Sequence, residues 1–231
     1  RDMRIAVVGG MGAVAREVAV QAMEAGHFVS WHLYPSHTLE DPSLESDYTQ
    51  VLRIVRGAWD DEQQYMAALS TCDAVVVVLD QRYTKPEQFV PIQRLVQRSM
   101  RSHGLERIVL VTAHGSGDSN RQLDWMHWAR FNVNQALHSL SIASGLLCWS
   151  VAAQYSAQEA VLAADASLKY TVLRPATVTD GPATGTYLAS PTHVFGGYIS
   201  AADVADCALK ALSHEMDISQ AFSLAYSSRV A

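Results

Sequence analysis

The stretch from Arg4 to Tyr34, RIAVVGGMGAVAREVAVQAMEAGHFVSWHLY, constrains this chain more than any other. Ile5 to Val8 is an apolar run that meets Gly9, Gly10 and Gly12. A helical pattern then continues to Ala25, Gly26 stops it, and Phe28 to Tyr34 is strand-like again. Strand, glycine turn, helix and strand make one βαβ unit. Such a turn suits a pyrophosphate, because bare glycine backbone permits close approach and a helix N-terminus offers unpaired N–H groups to an anion. Gly10-Met11-Gly12-Ala13-Val14-Ala15 fits the pattern G-x-G-x-x-G/A, with Ala15 where helix and sheet pack closest. The competing interpretation is a tight βα turn that holds no ligand.

The rest of the chain repeats the alternation. Pro35 to Ser46 is polar with two prolines and reads as a loop, Val51 to Val55 as a short third strand, and Asp60 to about Leu69 as a helix with acids at its positive end. Asp73 to Leu79 contains a continuous apolar run, as expected for a central parallel strand covered on both faces. Pro86 to His103 places Phe89, Ile92, Leu95, Val96 and Met100 near a 3.6-residue period, with Gly104 as the stop. Arg107 to Thr112 is a fifth strand. A long helical stretch from Arg121 to Asp165, broken near Ser144-Gly145, precedes a sixth strand from Lys169 to Arg174. A helix from Ala201 to Leu212 and a last strand, Gln220 to Tyr226, complete the series. The expected fold is α/β: a single doubly wound parallel sheet with helices on both faces and right-handed crossovers. It is read as one domain over 1–231, with the part from about 113 to 231 shaping a substrate pocket.

Composition narrows the partners. The chain has 49% hydrophobic and 17% charged residues, which suits a globular protein. A formal net charge of −6 without a basic block argues against nucleic acid or an anionic membrane as partner. Cys72, Cys148 and Cys207 are odd in number and far apart, so neither a disulfide framework nor a zinc site is expected. No apolar run approaches the roughly 18 residues of a membrane span. The first strand falls almost at residue 1, which leaves no room for a signal peptide, and a cytoplasmic monomer or homodimer is expected.

Three later segments follow in order: Tyr170-Thr-Val-Leu-Arg-Pro175, Thr179-Asp180-Gly181-Pro182 with Gly185, and Ile199-Ser200-Ala-Ala-Asp203-Val-Ala205. With the glycine turn, they make the chain resemble the atypical short-chain dehydrogenase/reductases, nearest to NmrA-like and flavin/biliverdin-reductase-like members. The resemblance covers nearly the whole chain and implies a Rossmann sheet with a nicotinamide cofactor over its C-terminal strand edge. It carries over as contacts from Gly9, Gly10, Met11, Gly12, Ala13 and Val14. Further contacts are Tyr34 after the second strand, Leu79 after the fourth, Thr112 after the fifth, and Pro175, Ala176 and Thr177 after the sixth. The chain departs from the family at four places. The third glycine is Ala15, Tyr34 stands where NADP-preferring members carry arginine, Ala58 replaces an acid, and Thr112 or Ala113 replaces a serine. No carboxylate follows the second strand until Glu40, which leans toward NADP(H) over NAD(H).

A reductase needs a positioned proton donor as well as hydride. Tyr155 is the first candidate, because many short-chain enzymes place a tyrosine on this helix. The usual lysine four residues on is Glu159 here, which would raise the tyrosine pKa rather than lower it. Thr112, at the end of a parallel strand, could orient a carbonyl, and His114 just beyond it titrates near neutrality. Asp124 and His127, at i and i+3 between Trp125 and Trp128, could form a carboxylate-oriented acid/base pair. His32, His37 and Arg16 flank the place of an adenosine phosphate, while Arg174-Pro175 and Asp203 read as structural. Three functions remain open: an NAD(P)H-dependent reductase of a small carbonyl or conjugated-ring compound, a nonredox cyclase, isomerase or dehydratase using His and Asp without a cofactor in catalysis, and a noncatalytic dinucleotide sensor.

Overall fold

The computed structural model describes residues 2–39, 41–121, 143–191, 197–213 and 216–227. Ten strands are described: β1 Arg4–Val8, β2 Phe28–Leu33, β3 Leu52–Arg56, β4 Ala74–Val78, β5 Arg107–Val111, β6 Lys169–Pro175, β7 Thr177–Thr179, β8 Leu188–Ser190, β9 Tyr198–Ser200 and β10 Gln220–Ala225. Six α-helices are described: α1 Ala13–Glu24, α2 Ser43–Asp47, α3 Glu62–Leu69, α4 Phe89–His103, α5 Ala143–Ala163 and α6 Ala201–Leu212. The main sheet runs β3-β2-β1-β4-β5-β6-β10-β8. The strand order reverses between β1 and β4, the kind of switch point where open α/β sheets bind ligands beyond their carboxyl ends.

Alternation in β1 divides the core. Ile5 and Val7 join α1 and α6 on one face, and Ala6 and Val8 join α3, α4 and α5 on the other. β4, Ala-Val-Val-Val-Val, is buried at every position because both of its faces are covered. Helix ends follow from local chemistry. Asp61 caps α3 by accepting from Gln63 N at 3.1 Å, Ser200 caps α6 by accepting from Asp203 N at 3.0 Å, and Gly104 at φ +68° ends α4 in the left-handed region.

The sheet differs from the expected one in three places. β8 runs antiparallel to β10 at the sheet's end, and β7 pairs with β9 in a separate two-stranded sheet. These three strands have three residues each, too short to show a period-two pattern, and β7 and β8 are largely exposed. The polar segment after β2 contains α2, whose start is held by Asp41 Oδ1 accepting from Ser43 N at 2.9 Å. The α4 segment opens with a 3₁₀ turn, Pro86–Gln88. α5 is described from Ala143, and the residues on the N-terminal side of the break expected near Ser144-Gly145 lie outside the described residues. Among the described residues, no helix is long and apolar enough to cross a membrane.

Candidate functional site

The glycine turn passes directly over β4. Gly9 has φ +151°, and a Cβ there would sit 1.6 Å from the Val78 carbonyl oxygen, so no other residue fits the position. Trp31, fully buried on β2, donates its indole N–H to Gly10 O at 3.1 Å and holds the turn's shape. Gly12 is the N-cap of α1. It supplies no side-chain cap, and no acid stands in the first turn. The N-cap therefore offers the first amides of α1 no side-chain acceptor, and the dipole favours an anion there.

Above Gly10 lies a group of rings. A Cβ on Gly10 would come 3.1 Å from His37 Cε1, and the His37 ring stands 5.7 Å from Tyr34, 6.1 Å from Trp59 and 5.5 Å from Tyr83. Arg56 donates to His37 O at 2.6 Å and to Glu45 Oε1 at 3.1 Å. Burial, and then the Arg56 charge, push the His37 pKa below its ordinary value. His32, read from the sequence as flanking a phosphate, is instead fully buried and stacked on Tyr65 at 4.5 Å. Burial lowers its pKa to about 4, against a weaker opposing pull from Asp61.

On the other side of α1's start, a cleft of about 100 Å³ opens at the carboxyl ends of β1, β4, β5 and β6. Gly12, Ala13, Leu79, Thr112, Tyr155 and Pro175 line it, together with Asp80 and Arg82. Tyr155 is buried, and its hydroxyl donates to Leu79 O at 2.7 Å. Its pKa is raised, first by burial and then by the Asp80 charge.

Glu159 lies elsewhere, in a buried network. It accepts from Thr112 Oγ1 at 2.7 Å and Ser116 Oγ at 2.6 Å, and it pairs with Arg174 Nη2 at 2.7 Å. Arg174 also bonds Asp118 through Nη1. Its pKa is raised despite the opposing effect of burial, because the hydrogen bond to Glu159 and the carboxylate charges of Glu159 and Asp118 favour the charged form. A carboxylate facing arginine can only accept, so the Thr112 proton points into the network, where its oxygen also lies 3.1 Å from Ser116 Oγ.

The structure thus brings Gly12, Ala13, Val14, Leu79, Thr112, Tyr155 and Pro175 together in one cleft. Gly9, Gly10 and Met11 form the buried turn beneath it, and Tyr34 belongs to the ring group over Gly10. His114 follows β5, with its backbone N–H bonded to Pro175 O at 2.8 Å. Ala176 is partly buried and donates its N–H to Leu224 O, while Thr177 opens β7 and is exposed. Asp124 and His127 lie outside the described residues. Asp203 is fully buried and accepts from Thr184, Gly185, Ser200 and Tyr226, which ties the loop before β8 to the start of α6. Sequence reasoning missed Asp80 and Arg82. Their signal was position: the residues following an all-apolar parallel strand lie at the ligand-binding edge of such a sheet.

A model of the NAD(P)H-binding family matches residues 9–215, and the chain belongs to that family. Its fold is shared with solved reductases and short-chain dehydrogenase/reductases. ChuY, an anaerobillin reductase from Escherichia coli O157:H7, is 19% identical with a TM-score of 0.72, over 97% of each chain. A short-chain dehydrogenase/reductase from Veillonella parvula, crystallised with NADP, is 14% identical with a TM-score of 0.75, over 99% of this chain and 96% of its own. The oxidoreductase ylbE from Lactococcus lactis is 14% identical with a TM-score of 0.72, over 97% and 91%. No curated protein matches at the sequence level. At these identities the solved structures speak for the fold alone.

Proposed function

We propose that this protein is an NADPH-dependent reductase of a small conjugated compound, in which the described cleft residues position hydride transfer and donate no proton. The observation that carries the reading is the uncapped start of α1 at Gly12, which opens on the same cleft as Thr112, Tyr155 and Pro175. Gly9, Gly10 and Gly12 leave room for a pyrophosphate, which the first amides of α1 and their dipole would hold. When bound, NADPH supplies the hydride. Thr112 and Pro175, at the ends of β5 and β6, would flank the nicotinamide end.

Preference for NADPH is supported by the surroundings of His37. Arg56 stands beside its carbonyl, and no carboxylate occupies 34–39, where a ribose diol would otherwise be recognised. The substrate class follows from where the protons are. Tyr155 donates to a backbone carbonyl and Thr112 donates to Glu159. An isolated ketone needs a proton as its alkoxide forms. A flavin, quinone or enone spreads the new charge over its conjugated system and can take its proton from water.

The test is NADPH oxidation followed at saturating cofactor with a flavin, a quinone, an enone and a simple ketone. Turnover is expected with one or more conjugated acceptors and not with the ketone. It should fall to background in Gly12→Asp, which sets a carboxylate against the phosphates. Absence of acceptor-dependent oxidation across the conjugated set would refute the reading.

A further inference from the structure

The two obstacles above the glycine turn differ in kind. Over Gly10 stands the His37 ring, a flat surface against which a nucleotide can stack. Over Gly12 stands a charge. A Cβ on Gly12 would come 3.0 Å from Asp80 Oδ2 and 3.1 Å from Asp80 Cβ, so the carboxylate rests on the glycine itself. Arg82 holds it there. Arg82 Nε bonds Oδ2 at 3.0 Å and Oδ1 at 3.2 Å, and Nη2 bonds Oδ2 at 2.7 Å. The pair is asymmetric, with the Asp80 side chain 19% exposed and that of Arg82 63% exposed. The guanidinium can therefore leave toward solvent more freely than the carboxylate can.

The space left beside them is about 100 Å³, below the roughly 300–1,000 Å³ of ordinary small-molecule pockets. An anion at the first amides of α1 would share this confined space with the Asp80 carboxylate, where like charges repel far more strongly than in water. The dipole of α1 attracts that anion and Asp80 repels it.

We infer that Asp80 sets the affinity of this cleft for a dinucleotide, because its carboxylate, held on Gly12 by Arg82, must leave the turn before a pyrophosphate reaches the α1 amides. The inference rests on the NADPH reading above and deepens it. Binding is then an exchange: the Asp80–Arg82 pair opens, the carboxylate withdraws from Gly12, and the phosphates take its place. Asp80 is not needed for the local turn as a charge. Its Oδ1 accepts from Arg82 N at 2.8 Å, and an asparagine keeps that acceptor.

The experiment is calorimetric titration of wild type, Asp80→Asn and Asp80→Glu with NADPH, and separately with inorganic pyrophosphate, after thermal melts establish that each variant folds. Asp80→Ser, also uncharged and able to accept from Arg82 N, substitutes if Asp80→Asn does not fold. The expected result is NADPH binding at least tenfold tighter in the uncharged variant and no tighter in Asp80→Glu, with pyrophosphate following the same order. Binding by the uncharged variant where wild type shows none supports the inference equally, and would mean that the native chain is closed to NADPH. Equal or weaker binding in the uncharged variant, with wild type binding, overturns the inference and leaves the NADPH reading standing. No binding by either protein overturns both.

Discussion

The two sides of the α1 start are built on opposite plans. On the β1–β2 side, the turn ends in a helix without a cap, and its roof is made of rings: Tyr34, His37, Trp59 and Tyr83. On the β5–β6 side, each polar group of the network already has a partner. Thr112, Ser116 and Arg174 converge on Glu159, and Tyr155 is bonded to Leu79 O. The first side leaves binding capacity unsatisfied, as a ligand site requires. The second has satisfied its own, as a support requires. The same fold thus separates receiving from holding, and the comparison can be tested from either side.

The largest effect belongs to the holding side. Arg174→Met leaves Glu159 buried without its cation, and chemical denaturation should show a loss of about 3–5 kcal/mol. The double variant Arg174→Met/Glu159→Leu should recover part of that loss, since an apolar pair of similar size does not strand a charge. A single-variant loss under about 1 kcal/mol would mean the network is no support at all.

The receiving side carries the next effect, through pH. His32 is fully buried beneath the ring group, with neither ring nitrogen hydrogen-bonded among the described residues. Its folded pKa is about 4, against an ordinary 6.5. Between these values the unfolded chain binds the proton and the folded chain does not, so stability falls as pH falls. The contribution is complete above about pH 6.5 and lost on the way to pH 4, on the order of 3 kcal/mol. His32→Phe preserves a ring on Tyr65 and should flatten the denaturation midpoint across that window. An unchanged pH profile would remove His32 as the source.

Tyr155→Phe sharpens the division most finely. It removes the donor to Leu79 O, which should cost about 1–3 kcal/mol of stability. With its proton committed to that carbonyl, the change in kcat should stay within about tenfold, whereas loss of a general acid costs about a hundredfold or more. A loss of that size in kcat at unchanged KM would place Tyr155 among the catalytic residues and erase the contrast between the two sides.

The receiving side was the more legible from sequence. Residues 5–15 announce strand, turn and helix through local pattern, because glycine tolerance and helix initiation are decided within a few residues. The holding side could be read only in part. Glu159 was recognised as an acid on the helical face of Tyr155, and from the sequence its charge was expected to raise the tyrosine pKa. The fold turns it to Arg174, 15 residues away, and burial is what chiefly raises Tyr155. Asp80 and Arg82 passed unnoticed for a related reason. A carboxylate on Gly12 is visible only when the end of β4 and the start of α1 are set side by side.

The sequence by itself determined the alternation of strands and helices, the two-faced core and the position of the phosphate-sized turn. Each rests on periodicity or on the backbone freedom of single residues, which are local quantities. Tertiary structure alone decided which protons are committed, that His32 is buried while His37 covers the turn, and that Asp80 stands guard over Gly12. Those outcomes depend on which side chains meet across β1, β4, β5 and β6. Electrostatic and hydrogen-bond energies follow distance in space, and distance along the chain does not specify it.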